Sequence, residues 1–347
     1  MKKLGILSIV LLSLLGCQKD VQETQPVTEL EAGAVADSKS LVIYSGRSQV
    51  LVGGLVEAFQ KKTGISVEVR YDKSTQALAN RIATEADKTE ADLFFAQDSG
   101  YLGALAAKEL LSPLPEVLIS KVATTHRDTG SRWIATSGRA RVLVYDPKTV
   151  NVDELPKSLA ELGDAKWKGK LGWAPGNASF QAHVSALRHL WGEEKTRTWM
   201  QSVLKNVEPK VYPKNSPQVK GVSNGEIQIG WVNHYYLHKL KAADPELSAA
   251  NYSFVNENDP GNLMMLSGIG VVSASDNREA ALQFIEFLLE PEQQTYFTNE
   301  VYEYPVIADV PLNPDLPDIR DRLVQIEQAH LADLAPTLQL LRDLQLQ

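Results

Sequence analysis

Tyr235 and Tyr236 are adjacent phenols at the point where a predicted strand, Glu226 to Val232, gives way to a predicted helix. Neighbouring side chains point to opposite faces of a strand and lie about 100° apart on a helix, so a pair converges on one small object most easily at such a junction. A hard trivalent cation is an object of that kind. Phenolate is a hard anionic oxygen donor, and a bound metal holds it deprotonated far below its free pKa of about 10. A Tyr-Tyr dipeptide is also an ordinary packing motif, so its meaning rests on what surrounds it.

Within Ser137-Gly138-Arg139-Ala140-Arg141-Val142-Leu143-Val144-Tyr145, strand parity puts Arg139, Arg141 and Tyr145 on one face. Two guanidiniums and a phenol there suit a third phenolate, Tyr145, beside an arginine anchor for a small planar anion. Ser45-Gly46-Arg47-Ser48 ends another predicted strand just before a helix, where open N–H groups and Arg47 favour anions. Asn233 is placed to cap the helix that carries the tyrosine pair. His234 and His238 have the i, i+4 spacing of zinc ligands, but no HExxH glutamate lies between them, so they read as a surface histidine pair. No Ser/His/Asp set, cysteine nucleophile, P-loop, dinucleotide glycine loop or nucleophile elbow is found, which argues against an enzyme.

These residues must be positioned by alternating strands and helices. Strands are predicted at Leu41–Tyr44, Ile65–Tyr71, Asp92–Phe95, Arg141–Tyr145, Leu171–Pro175 and Met264–Ser273, and helices at 50–62, 76–85, 158–162, 180–190 and 278–289. Such alternation implies α/β architecture with parallel, covered sheets and ligands beyond the carboxyl ends of the strands. Two α/β lobes with a cleft and hinge between them account for the pattern, the first from 41–136 and about 270–315, the second from about 137–269 and 316–347.

Lys2, Lys3, an apolar run to Leu15 and Leu14-Leu15-Gly16-Cys17 form an export signal over residues 1–16, too short to span a bilayer. This segment resembles a bacterial lipobox, which implies cleavage before Cys17 and acylation of its thiol. Residues 17–40 are Gln, Glu, Thr, Ala and Ser without apolar period and read as a flexible tether. Cys17 is the only cysteine of 347 residues, so no internal disulfide is available. The formal charge of −8 argues against a general nucleic-acid binder and is compatible with a cationic cargo.

In order and spacing, several segments resemble the periplasmic ferric-ion-binding proteins of bacterial iron ABC importers. Val42-Ile43-Tyr44-Ser45-Gly46-Arg47, Lys62-Thr63-Gly64-Ile65, Ala91-Asp92-Leu93-Phe94, Ser137 to Asp146, Asn233-His234-Tyr235-Tyr236 and Glu303-Tyr304-Pro305 carry the resemblance, which runs from about Leu41 to the C-terminal region. It implies a two-lobed type II periplasmic-binding fold that closes over Fe3+ and delivers it to the importer's inner-membrane permease, as a lipid-anchored periplasmic monomer. The histidine and glutamate ligands of well-known members are replaced by Ser48 and Gln97. That departure points to the three-tyrosine subgroup, with Tyr145, Tyr235 and Tyr236 as ligands and carbonate or bicarbonate as synergistic anion. Arg47, then Arg141 and Arg139, are the implied anion partners, with Ser137, Gly138, Asn177 and Asn233 as further positions. The alternative is the same fold carrying another small ligand: an anion, a thiamine-like cation or a polyamine.

Overall fold

Leu41 and Ile43 face one side of the first strand and Val42 and Tyr44 the other, and both sets are covered. That strand is therefore interior to its sheet, as an unbroken apolar run requires. The computed structural model describes residues 40–72, 74–331 and 333–346. The proposed export signal, the acylated Cys17 and the tether lie outside the described residues.

The elements are β1 (Leu41–Ser45), α1 (Gln49–Thr63), β2 (Val67–Tyr71), α2 (Thr75–Glu85), β3 (Leu93–Ala96), α3 (Ser99–Ala106), α4 (Glu116–Ile119), β4 (Ile134–Tyr145), β5 (Leu171–Gly172), α5 (Ala178–Trp191), α6 (Glu193–Val207), α7 (Asn215–Ser223), β6 (Ile229–Asn233), α8 (Tyr235–Ala243), β7 (Ala250–Tyr252), β8 (Met264–Val271), α9 (Arg278–Leu288), α10 (Pro291–Asn299) and α11 (Leu334–Asp343). The strands follow the order β2-β1-β3-β8-β4-β6-β5, with β7 also paired to β4.

The sheet is mixed, which corrects the expectation of parallel strands. β1 pairs in parallel with β2 and β3, and β5 with β6, but β8 runs antiparallel to β3 and β4, and β4 antiparallel to β6. The reason is the path of the chain. It runs along β4 from the β1–β3 region to the β5–β6 region and returns along β8 beside it, so the two long strands oppose each other. β4 spans 12 residues, of which Ile134 to Ala140 pair with β8 and Arg141 to Tyr145 pair with β6.

Packing follows the same division. Phe59 of α1 meets Phe284 and Phe287 of α9 edge-on at 5.0 and 5.5 Å on one face of the β1–β3 sheet. Tyr44, Phe94, Leu102 and Trp133 fill the opposite face. Around β5 and β6, Trp173, Phe180, Trp199 and Trp231 stack edge to face with centroids 5.2 to 5.9 Å apart. Edge-on aromatic pairs of this kind add roughly 0.5–1.5 kcal/mol each beyond the area they bury.

The C-terminal segment braces the back of the two long strands. Gln328 accepts from Ser99 Oγ and from the Leu266 N–H, and donates to the Met264 carbonyl, so one amide ties β8 to the start of α3. His330 stacks on His189 of α5 at 3.4 Å, attaching the same segment to the other half of the molecule.

The long strands tolerate no extra bulk where they touch. A Cβ at Gly268 would lie 2.8 Å from the Ile134 carbonyl oxygen, a backbone atom on β4 that cannot rotate away. Gly268→Ala is therefore expected to cost about 1–3 kcal/mol by forcing β8 off β4. A lowered urea midpoint with unchanged slope is the expected observation, and an unchanged midpoint would show that the strands part freely.

Candidate metal centre

β6 ends at Asn233, and α8 begins two residues later, so Tyr235 and Tyr236 sit at the strand-to-helix junction expected for them. There the rings stack at 4.5 Å and 27°. Burial, together with Tyr236, raises the Tyr235 phenol above its ordinary pKa, while Arg139 and Asn233 pull the other way. Tyr235 is thus protonated at neutral pH, and a ligand that takes its oxygen as phenolate must displace a proton.

Asn233 does not cap α8; the capping position is His234, which makes no side-chain cap. The Asn233 amide instead accepts from Arg141 Nη1 at 3.2 Å and donates to Ser179 Oγ at 3.0 Å, next to the N-terminus of α5. Arg141 is held further by the Trp231 carbonyl at 2.7 Å and Asn215 Oδ1 at 3.4 Å, with its guanidinium 4.9 Å from the Trp231 ring centre. Burial lowers its pKa to about 9, which keeps it charged at neutral pH. Arg141 makes no carboxylate pair among the described residues, and its Nε and the Asn215 amide nitrogen are buried without partners. Donors left in that state have hydrogen-bonding capacity to spare.

The other two arginines also leave Nε unpaired, but each is paired with a carboxylate. Arg47 gives both Nη atoms to Glu303, at 3.0 and 2.9 Å, and also binds Gln97 and Ser267. Arg139 donates to Asp98 Oδ1 at 2.6 Å and to the Gln97 carbonyl. Burial would lower the Arg139 pKa, but Asp98, Glu303 and Tyr235 outweigh it. Glu303 was given no role by the sequence, yet it is fully enclosed. Burial opposes its charge, and Arg47, Arg139 and the Ser137 hydroxyl overcome that, holding the carboxyl below its usual pKa. Its position is set from behind: Tyr302 adopts a left-handed backbone with φ 58°, and its carbonyl accepts from His234 Nε2. His234 is buried, with its pKa lowered to about 4, and His238 stacks on Tyr302 at 4.6 Å. The expectation of a surface histidine pair is corrected accordingly: both rings are buried, and that of His234 bonds to the Tyr302 carbonyl and meets the Tyr235 ring edge-on.

The remaining expected residues divide in two. Asn177 caps α5 by accepting from the Phe180 N–H, which leaves it beside Ser179. Ser137 is occupied by Glu303, and the Gly138 N–H and carbonyl both bond to the Tyr304 backbone at 2.8 Å, so neither is open to an anion. Tyr145 is not brought to the pair. It opposes Ile229, whereas Arg141 opposes Asn233, so four residues, about 13 Å of extended strand, separate it from Arg141. Its ring packs edge-on against Tyr252 at 6.5 Å. Because both stations belong to one sheet, no relative movement of halves can unite them. Among the described residues no three His, Cys, Asp or Glu side chains gather to hold a metal.

Comparisons with known proteins identify the family. A family model described as "Bacterial extracellular solute-binding protein" matches residues 88–324. The "Fe(3+)-binding periplasmic protein" of Serratia marcescens is 32% identical over 293 residues, covering 84% of this chain and 86% of the relative. The "Major ferric iron-binding protein" of Neisseria meningitidis is 33% identical over 284 residues, covering 81% and 82%. This chain belongs to the periplasmic ferric iron-binding protein family. Iron-bound HitA from Pseudomonas aeruginosa superposes with a TM-score of 0.79 at 31% identity, covering 88% of this chain and 98% of that one. A Trichodesmium protein in complex with iron and citrate gives 0.80 at 28% identity, covering 89% and 100%. The fold is the mixed α/β type II periplasmic-binding fold, and the family is one of solute-binding proteins, not enzymes.

Glu303 anchors the cleft only while ionised. Removing its charge strands a buried guanidinium, so Glu303→Gln is expected to cost about 3–5 kcal/mol at neutral pH. Its folded pKa is depressed, so this contribution is full above the ordinary carboxylate value of about 4.3 and disappears as pH falls through the lower folded value. Urea titrations of both proteins at pH 7 and at about pH 3 should show a gap that narrows in acid; a gap independent of pH would assign the loss to packing.

Proposed function

We propose that this chain binds Fe3+ in the periplasm and delivers it to the permease of an ABC importer. The metal is held by the phenolates of Tyr235 and Tyr236, with an anion seated on Arg141, Asn233, Asn215 and Ser179. The observation that carries this reading is the stacking of two phenol rings at one strand-to-helix junction beside a cation without a counter-charge. The names of the Serratia and Neisseria relatives, both ferric iron-binding, support the cargo.

Two phenolates leave a trivalent ion with net positive charge, so an anion is required for balance, and carbonate or bicarbonate is the simplest. The halves of the fold, 41–136 with about 270–315 and about 137–269 with 316–347, close over it by bending at β4 and β8. Cys17 is the expected acylation site that keeps the monomer at the membrane. A cargo of small anion alone, favoured by the unmatched Arg141, is the second reading and requires a protein that stays colourless with iron.

Adding Fe3+ to the apo protein should produce a visible phenolate-to-metal absorption band. Tyr235→Phe and Tyr236→Phe are each expected to weaken binding by at least a hundredfold, about 2.7 kcal/mol, in competition with a chelator, with unchanged far-ultraviolet circular dichroism. Tyr145→Phe should bind as the parent does. Iron binding that survives in both of the first two variants would remove them as ligands. Because protons compete with the metal for Tyr235, the band should fade on acidification; colour persisting into strong acid would contradict phenolate ligation.

A further inference from the structure

Of the six histidines in the chain, four are unsuited to meet a solute. His183, His234 and His238 are buried, the first two committed to the Pro260 and Tyr302 carbonyls, and His126 keeps Nδ1 enclosed. His189 and His330 differ. His189 is exposed in the last turn of α5, and His330 is half-buried in the short helical turn Gln328–Leu331. Their rings stack at 3.4 Å and 17°. Neither ring makes a hydrogen bond among the described residues, and no nitrogen of His330 is among the buried unpartnered atoms, so the pair keeps its nitrogens open to water.

Stacking face to face uses none of the polar capacity of two imidazoles. A neutral imidazole directs a lone pair outward in its own plane, and two such rings on separate elements form a chelating pair for a borderline divalent ion. Zinc bonds of about 2.0–2.1 Å at a tetrahedral angle set two nitrogens about 3.3 Å apart, which is near the ring separation. The rings must splay to aim both lone pairs at one ion. Nothing hydrogen-bonds either ring in place, and the exposed His189 has room to turn. Arg188, beside His189 in sequence, is engaged by Glu193 at 2.6 Å and Asp333 at 3.8 Å, so it presents no unmatched positive charge to a cation.

We propose that His189 and His330 form a second metal site, for a divalent transition cation of the Zn2+ or Cu2+ class, with water completing the coordination. The site is independent of the ferric reading. The two pairs also select different ions, because phenolate is a hard donor suited to Fe3+ and imidazole suits Zn2+ and Cu2+. Binding is ligand exchange: each ring gives one nitrogen lone pair to the ion, two of its waters leave, and protons compete for the same nitrogens in acid. Gln328 ties the same segment to β8 and to the start of α3, so an ion on His330 fastens to α5 a strap that is already anchored behind the long strands.

The test uses untagged protein carrying Tyr235→Phe and Tyr236→Phe, which takes the phenols out of competition, with and without His189→Gln or His330→Gln. Cu2+ is titrated in and read by electron paramagnetic resonance, and melting temperature is followed with and without Zn2+. One copper per chain with two nitrogen ligands is expected, together with a Zn2+-dependent rise in melting temperature. Each histidine substitution should weaken copper binding by about tenfold or more, leave one nitrogen in the spectrum and remove the rise. Without metal both variants should melt as their parent does, since neither ring is hydrogen-bonded. Copper bound with the same affinity and nitrogen count in both variants overturns the proposal, as does a parent that takes up no copper. Iron uptake by the chain with both tyrosines present tests the ferric reading separately, so the two fail independently.

Discussion

The register between β4 and β6 decides which side chains can act together. One strand carries Arg139, Arg141 and Tyr145 on the same face, and the pairing of Arg141 with Asn233 delivers the two arginines to the end of β6 from which the tyrosine pair emerges. The same pairing holds Tyr145 opposite Ile229, at the other end. A shift of two residues would preserve every inward-facing side chain and still separate the arginines from the phenols. The apolar even positions Val142 and Val144, buried on the reverse face, make such a shift costly, so hydrophobic packing on one side of the sheet sets the chemistry on the other.

Around that frame, charges are sorted by burial. Arg47 and Arg139 are enclosed with carboxylates and behave as fixed struts between the turn after β1, the turn after β3 and the segment around residue 303. Arg141 is enclosed with amides and carbonyls instead. A neutral partner lowers the cost of burying a guanidinium without cancelling its charge, which leaves a field for something that arrives later. Desolvation raises the phenol pKa at Tyr235, so that phenol stays protonated beside a cation that keeps its charge.

Much of this was legible from local sequence. The strand-then-helix order from Leu41 to Phe95, the junction at Tyr235 and the alternation along 139–145 follow from periodicity, and the structure has elements at all of these places. Parity told which face Tyr145 occupies but not how far along the sheet it lies, because register between strands 90 residues apart is not a local property. Glu303 and Asn215 escaped notice for the same reason: a lone carboxylate and a lone amide carry no pattern until the chain brings them to an arginine. His234 and His238 were legible as a spacing but not as buried rings, since enclosure depends on the left-handed turn at Tyr302. Helices α3, α4, α6, α7, α10 and α11 were not anticipated, and the antiparallel return along β8 could not be foreseen from an alternation that suits parallel sheets.

The Arg47–Glu303 contact joins residues 256 positions apart. The Arg47 guanidinium therefore finds its counter-ion only when a distant segment of the chain is brought back to it. Until then the turn after β1 has no counter-ion and stays hydrated, because an unpaired guanidinium resists leaving water. Contacts of this span slow folding through loop-closure entropy. The part of the site built on Arg47 and Glu303 is consequently expected to close late in folding.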